Sequence, residues 1–184
     1  MKKPLIVLIG GPSGGGKGAT IERLIKKYPR VFTKMPSTTT RTMREGEEHG
    51  VDYYYITIPE FHQKLESGDI FEYTELFGNF YGMSHETINK KIYKEKIVLK
   101  DSDYLGVAAL REHGYNVLSI YLDVPKDEVE KRLRHRGETE ESIARRLLGY
   151  QTYVDNTHYY DYMIPNCDLD ECVERVYGLI IQQR

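Results

Sequence analysis

An α/β fold, a three-layer parallel sheet carrying a phosphate loop, follows from three features of the 184-residue sequence. Short apolar, β-rich runs alternate with segments of helical period, the pattern of a parallel sheet with helices on both faces. The first of these runs, "LIVLI", leads straight into glycines and a lysine that open a helix. The length suits one domain with a full hydrophobic core, and no repeat, linker or low-complexity tract divides it.

In chain order, residues 5–9 read as a fully buried strand and 17–28 as a helix with Ile21, Leu24 and Ile25 along one face. The segment "TIPEFHQKLESG" predicts a capped helix: Thr57 and Glu60 stand at capping-box spacing, Pro59 fits the first turn and Gly68 ends it. Between these helices, "PSTTTRTMREGEEHGVDYYY" is polar and has no helical period. Residues 70–76 and 80–84 predict strands around the turn "FGN". A helix near 86–93, a strand at 97–99, a helix ending at Gly114 and a strand at 117–122 follow. Pro125 suits the start of a helix running to Arg136, and "GETEE" interrupts before a second helix from about Glu140. Residues 162–164 predict a last short strand. The final helix starts near Asp168, with Leu169, Val173, Val176 and Ile180 at helical spacing.

Composition excludes several classes. A net charge of −2, from 26 basic and 28 acidic residues, supplies no broad basic field, so no nucleic-acid partner is expected. No stretch is apolar enough to span a bilayer, and no membrane partner is expected. Lys2 and Lys3 before "LIVLI" mimic a signal peptide, but the run is too short and leads to glycines and Lys17. Cys167 and Cys172, five apart, match neither redox nor zinc spacing, and the six histidines contain no i, i+4 pair. A dedicated protein metal site is therefore not expected, and a reducing cytoplasm is the default compartment.

From Gly11, "GPSGGGKG" fits G-x-x-x-x-G-K and departs at the final position, where Gly18 replaces the usual hydroxyl. The context is right for nucleotide binding: buried strand before, helix after. Glycines let successive backbone N–H groups converge on one anion, the helix N-terminus adds its dipole, and Lys17 reaches the β- and γ-phosphates. A glycine-rich turn that merely caps a helix is the competing reading. Five glycines between Gly10 and Gly16 cost backbone entropy that such a turn does not need. Mg²⁺ without a hydroxyl at position 18 is held by the nucleotide's own oxygens and water.

"STTTRTMR" brings Ser37, Arg41 and Arg44 into one polar loop. Two arginines beside hydroxyls can clamp a second phosphate through bidentate hydrogen bonds; alone, they also suit a solvated charged loop. Glu72 alternates with Phe71 and Tyr73 and, on pattern alone, suits the solvent face of a half-buried strand.

The segments "GPSGGGKG", "PSTTTRTMREGEEHGVDYYY", "FEYTELFGNFYG", "RLRHRGETEES…RRL" and "MIPN" occur in this order over almost the whole chain. In that, the sequence resembles the guanylate kinases. The resemblance implies one domain over 1–184, with a core of 1–33, 87–125 and 151–184, a small acceptor-binding insert at 34–86 and a helical lid at 126–150. It implies ATP binding by Gly11, Pro12, Ser13, Gly14, Gly15, Gly16, Lys17, Gly18, Ala19 and Asn166, the last at the adenine end. On the acceptor side, Arg41, Arg44, Tyr53 and Tyr81 match the residues that hold the GMP phosphate. Glu72 matches the carboxylate that accepts from N1–H and the 2-amino group of guanine, and Ser37 the residue facing its 6-oxo group. Asp103 matches an aspartate near the base, and Asp101 one turned towards phosphates and metal.

Arg132 and Arg136 stand at i, i+4, on one face of a helix, with Glu128 four before Arg132. Read alone this is a salt-bridged exposed face. By resemblance Arg132, Arg136 and Arg146 are lid arginines which, with Lys17 and Arg41, stabilise charge during transfer. The implied reaction is Mg²⁺-assisted phosphorylation of GMP by ATP in a monomer or homodimer. Gly18 and Ala19 depart from relatives that carry hydroxyls. Met83 stands where relatives carry a Ser or Thr contacting guanine, and Leu105 where glutamine is common. These departures leave two alternatives: a related kinase for another nucleotide or a phosphorylated sugar, and a non-catalytic binding module of the same fold.

Overall fold

Strand β1 (Leu5–Gly10) has strands on both edges and helices on both faces, which is why its sequence is an unbroken apolar run. The computed structural model describes residues 5–76, 78–92 and 96–183. Lys2 and Lys3, Phe77 of the expected "FGN" turn and Tyr93 of the expected third helix lie outside the described residues. Side chains of β1 alternate between two cores. Val7 and Ile9 join Ile21 and Leu24 of α1 (Lys17–Lys27) and Val173, Val176 and Ile180 of α8 (Leu169–Gln182). Ile6 and Leu8 face the opposite way, onto Val107 and Leu110 of α4 (Tyr104–Glu112). Complete burial of each such side chain is worth about 1.5–3 kcal/mol.

The main sheet is entirely parallel, in the order β2 (Phe32–Lys34), β7 (Ile97–Asp101), β1, β8 (Asn116–Asp123), β9 (Tyr162–Pro165). The predicted layered α/β architecture is therefore present. The chain leaves β1 towards β2 on one side and later returns to β8 on the other. The crevice at the carboxyl ends of β1 and β7 is thus the topological switch point, where such sheets bind ligands.

A second, four-stranded sheet stands beside that crevice: β4 (Tyr53–Tyr55), β3 (Ser37–Thr39), β6 (Asn79–Ser84), β5 (Ile70–Leu76). The polar stretch without helical period contains β3 and β4, which the sequence reading did not assign. Three-residue strands of Ser, Thr and Tyr are too short to display an alternation. Strands β5 and β6 pair antiparallel with a bulge: Ile70 faces Ser84 and Glu72 faces Met83, so Phe71 is the extra residue. Helix α2 (Ile58–Glu66) carries the expected capping box between Thr57 and Glu60. Helix α3 (His85–Ile92) leads towards β7.

After β8 come α5 (Lys126–His135), α6 (Glu140–Leu148) and α7 (Tyr150–Asp155). Helices α5 and α6 share a small apolar cluster of Val124, Val129, Leu133 and Ile143. The sequence reading did not separate α7 from α6. Gly149 serves at once as the C-cap of one and the N-cap of the other.

Candidate active site

The phosphate loop wraps around its own lysine. Lys17 Nζ donates to the carbonyl oxygens of Gly11 at 2.8 Å and Pro12 at 2.9 Å. Its ammonium also lies 5.8 Å from the centroid of the Tyr153 ring, within cation–π range. Burial pushes the Lys17 pKa down to about 8; Asp101 and Asp103 oppose this, and Arg136 and Arg146 add to it. The loop thus holds a lysine whose charged form is disfavoured by burial.

The loop's shape depends on Asn166. Gly16 has φ +88°, and a Cβ there would lie 2.6 Å from Asn166 Nδ2. That nitrogen donates to Gly15 O at 2.8 Å, while Asn166 O accepts from Arg132 at 2.7 Å. The Asn166 N–H donates to Asp123 O at 2.9 Å. Expected at the adenine end of the donor, Asn166 is 1% exposed beneath the loop, with its amide spent on loop backbone. The structure corrects that expectation, because a side chain so enclosed presents no surface to adenine. Asp168 caps α8 as the expected helix start, accepting from Glu171 N–H. Gly18 is unconstrained: it is exposed and nothing lies within 4 Å of a Cβ placed on it.

A cavity of about 460 Å³ runs from this loop to the second sheet, lined at one end by Lys17 and Gly18 and at the other by Ser37, Glu72 and Tyr81. That volume suits a small ligand. Glu72, Thr74 and Tyr81 share the inner face of the β5–β6 pair. The Glu72 carboxyl has its pKa raised, first by burial and then by Asp103, with Lys100 opposing. Asp103 lines the cavity but also caps α4: its Oδ1 accepts from Leu105 N–H at 3.0 Å and Gly106 N–H at 3.1 Å. Asp101 lies on the same wall at the end of β7.

Met83 was expected to touch the base. By strand parity it shares the face of Tyr81, yet it is 3% exposed, packed among Ile6, Leu8, Met35 and Val107, and absent from the cavity wall. The thioether fills the second core instead, a second correction to the expected site. Ser84, one position on, bonds Thr87 Oγ1 at 2.9 Å.

Arg41 donates to Glu47 Oε1 at 2.6 Å and to Thr42 O at 2.8 Å, with its guanidinium 5.3 Å from the Tyr53 ring centroid. Glu47 also accepts from Arg44 N–H at 2.7 Å and Tyr55 Oη at 2.8 Å. With Arg41 as the main cause, its pKa falls to about 2, so the carboxylate is charged at any physiological pH. The sequence reading did not single out Glu47; its position six after Arg41, in a loop rich in acids, carried no signal. Arg44 is exposed, and the Tyr53 and Tyr81 rings meet edge to face at 6.0 Å.

On α5, Arg132 pairs with Glu128 Oε1 at 3.0 Å and reaches Asn166 O. Arg136 is exposed and forms the C-cap of α5. Arg146 pairs with Glu138 Oε2 at 2.7 Å and donates to Ser13 Oγ on the phosphate loop. Among the described residues, no three His, Cys, Asp or Glu side chains gather as a metal site. Mg²⁺ binds through one or two carboxylates, water and nucleotide phosphate. Asp101 on the wall and the open space at Gly18 fit that mode.

Comparison with known proteins agrees with this geometry. The family profile described as Guanylate kinase matches residues 1–183. A guanylate kinase of Idiomarina loihiensis is 34% identical over 182 residues, 97% of this chain and 87% of that protein. One of Prochlorococcus marinus subsp. pastoris is 36% identical over 177 residues, covering 95% and 96%. Among solved structures, guanylate kinase from Anaplasma phagocytophilum superposes with a TM-score of 0.73 at 28% identity, over 100% of this chain and 87% of that one.

Asn166→Ala should leave Gly15 O without its partner and destabilise the fold by about 1–3 kcal/mol in chemical denaturation. ATP binding, read by titration calorimetry, should weaken with it. Gly18→Ser meets no obstacle and should lower the KM for Mg·ATP roughly two- to tenfold, the worth of one added hydrogen bond. An unchanged KM would mean that position 18 does not face the metal.

Proposed function

Because the chain belongs to the guanylate kinase family, we propose how its residues divide the labour of that reaction along one cavity. The reaction is phosphorylation of GMP to GDP by ATP. The γ-phosphorus gains a bond to a GMP phosphate oxygen as its bond to the ADP oxygen breaks. The observation that carries the assignment is that Lys17 and Gly18 line the same cavity as Ser37, Glu72 and Tyr81. A donor cradle and an acceptor wall face each other across it. The comparisons lend no support to a different acceptor or a non-catalytic module.

In this reading the core is 1–33, 87–125 and 151–184, the acceptor region 34–86 and the lid 126–150. Transfer of a phosphoryl group needs positioning and charge stabilisation more than covalent help. The loop amides and Lys17 hold the donor's β- and γ-phosphates. Arg146, already bonded to Ser13, and Arg136, whose charge is felt at Lys17, stabilise the moving oxygens. Arg132 is tied to Asn166 O and couples the lid to the underside of the loop. Closure of the lid excludes water, which would otherwise take the phosphoryl group.

Arg41 and Arg44, with Tyr53 and Tyr81, bind the GMP phosphate. Glu47 already holds the Arg41 guanidinium and must share it when phosphate arrives. Glu72 accepts from N1–H and the 2-amino group of guanine. Adenine offers neither donor at those positions and would leave the carboxylate unpaired, a strong ground for rejection. Asp103 supports the base site while holding the start of α4. Guanylate kinases generally use Mg²⁺ with ATP, and when bound it neutralises charge on the β- and γ-phosphates. Asp101 would hold it through its hydration shell. Cys167 and Cys172 are free thiols, which suits a cytoplasmic enzyme.

A coupled assay should show ADP formation with GMP, ATP and Mg²⁺, and a strong preference for GMP over AMP, CMP and UMP. Absence of ADP formation would refute the assignment. A second measurement reads Lys17. Its pKa of about 8 in the free protein means that the charged, phosphate-binding form dominates below that pH and is lost above it. ATP should therefore bind roughly tenfold more weakly at pH 9 than at pH 7.5, with proton uptake on binding near pH 8. A flat profile would show that Lys17 is charged throughout this range or is not on the phosphates.

A further inference from the structure

Lys100 breaks the pattern of the strand that carries it. In β7, Val98 points into the core shared with Ile6 and Leu8, and position 100 continues that face. An apolar residue is the default there, yet the side chain is a lysine that is only 6% exposed. Buried lysines are rare unless paired with a carboxylate, because an ammonium out of water is costly. Among the described residues Lys100 forms no salt bridge; its hydrogen bond is to the neutral Ser37 Oγ at 2.5 Å. Burial depresses its pKa, and the fields of Asp101, Glu72 and Asp103 oppose that shift. An ammonium has three N–H donors, and Ser37 takes one.

Lys100 also lines the cavity, beside Ser37 and with Glu72 on the same wall. The wall therefore presents acceptors and donors side by side: the Glu72 carboxylate, the Ser37 hydroxyl and the Lys100 ammonium. A 6-oxopurine presents the complement, a carbonyl acceptor at position 6 next to an N–H donor at position 1. We propose that Lys100 is a specificity-determining residue that donates a hydrogen bond to the 6-oxo oxygen of the acceptor purine. Ser37 accepts from Lys100, which leaves the serine's own proton for the same oxygen. A 6-amino group would turn donors towards the ammonium and be repelled. Met83, withdrawn into the core, supplies no donor to that edge, and Lys100 does. The inference rests on the reading that Glu72 accepts from N1–H and the 2-amino group on the same edge of the base.

The test compares Lys100→Met, close in volume and apolar, with the parent protein. Dissociation constants are measured by titration calorimetry for GMP, IMP and the 5′-monophosphate of 2-aminopurine riboside, which lacks the 6-oxo group. The variant should bind GMP and IMP more weakly by a common factor of roughly 10 to 100. Binding of the 2-aminopurine nucleotide should stay within about twofold. The melting temperature should hold or rise, because a desolvated charge has been removed. Equal losses for all three nucleotides, with a lower melting temperature, would make Lys100 a structural residue and overturn the proposal. So would unchanged binding of GMP. Glu72→Gln separates the two readings. If it weakens GMP while Lys100→Met does not, only the Lys100 assignment fails. If both are silent, the base does not bind on this wall and both readings fail.

Discussion

The rest of the candidate site depends on the fixed path of the glycine-rich loop, where Gly11, Gly14 and Gly16 all take positive φ. Glycine supplies the necessary φ values but not the rigidity. Rigidity comes from two anchors. Lys17 binds the Gly11 and Pro12 carbonyls from inside the loop, and Asn166 binds Gly15 O from beneath. The backbone of Asn166 is itself held by Asp123 and Arg132, so the end of β8, helix α5 and the segment after β9 converge on one residue. The parallel sheet explains why these segments can meet: their strands end on the same edge, where the loop emerges from β1.

Charges of both signs line the cavity, and of these Lys100 is buried while Asp101 and Asp103 are exposed. Lys17, Lys100, Glu72, Asp101 and Asp103 all line it, and the pKa shifts of Lys17, Lys100 and Glu72 all disfavour the charged form through burial. Among the described residues every buried side-chain polar atom has a hydrogen-bond partner, so the site carries desolvated charge and not missing hydrogen bonds. Desolvated charge of this kind reduces stability, and a ligand of complementary polarity recovers part of that cost. Arg41, outside the cavity lining, is already paired, as Arg132 and Arg146 are. Glu47 neutralises Arg41, which fixes its geometry at the cost of some attraction for phosphate.

The sequence made the framework legible wherever a physical pattern ran for five residues or more. The buried run of β1, the amphipathic faces of α1 and α8 and the Thr57–Glu60 capping box all appear at or within a residue or two of their expected positions. The glycine spacing located the phosphate loop because few other structures need so many glycines there. The three-residue strands β3 and β4 were hidden because their partners lie far along the chain. Met83 and Asn166 were misread for a single reason. Resemblance carries a position but not its burial, and both side chains turned inward. Glu47 left no trace, since its partnership with Arg41 exists only once the loop is folded. Lys100 did leave one: a lysine ending the apolar run "IVLK" conflicts with its buried surroundings, and that conflict is the mark of a functional position.

The central claim is that one continuous cavity holds both nucleotides, phosphate to phosphate. A compound joining adenosine and guanosine through a chain of phosphates tests it directly, because it can occupy both ends only if they face each other. Steady-state inhibition should be competitive against ATP and also competitive against GMP. Competition with one nucleotide alone would place the two sites apart and contradict the account.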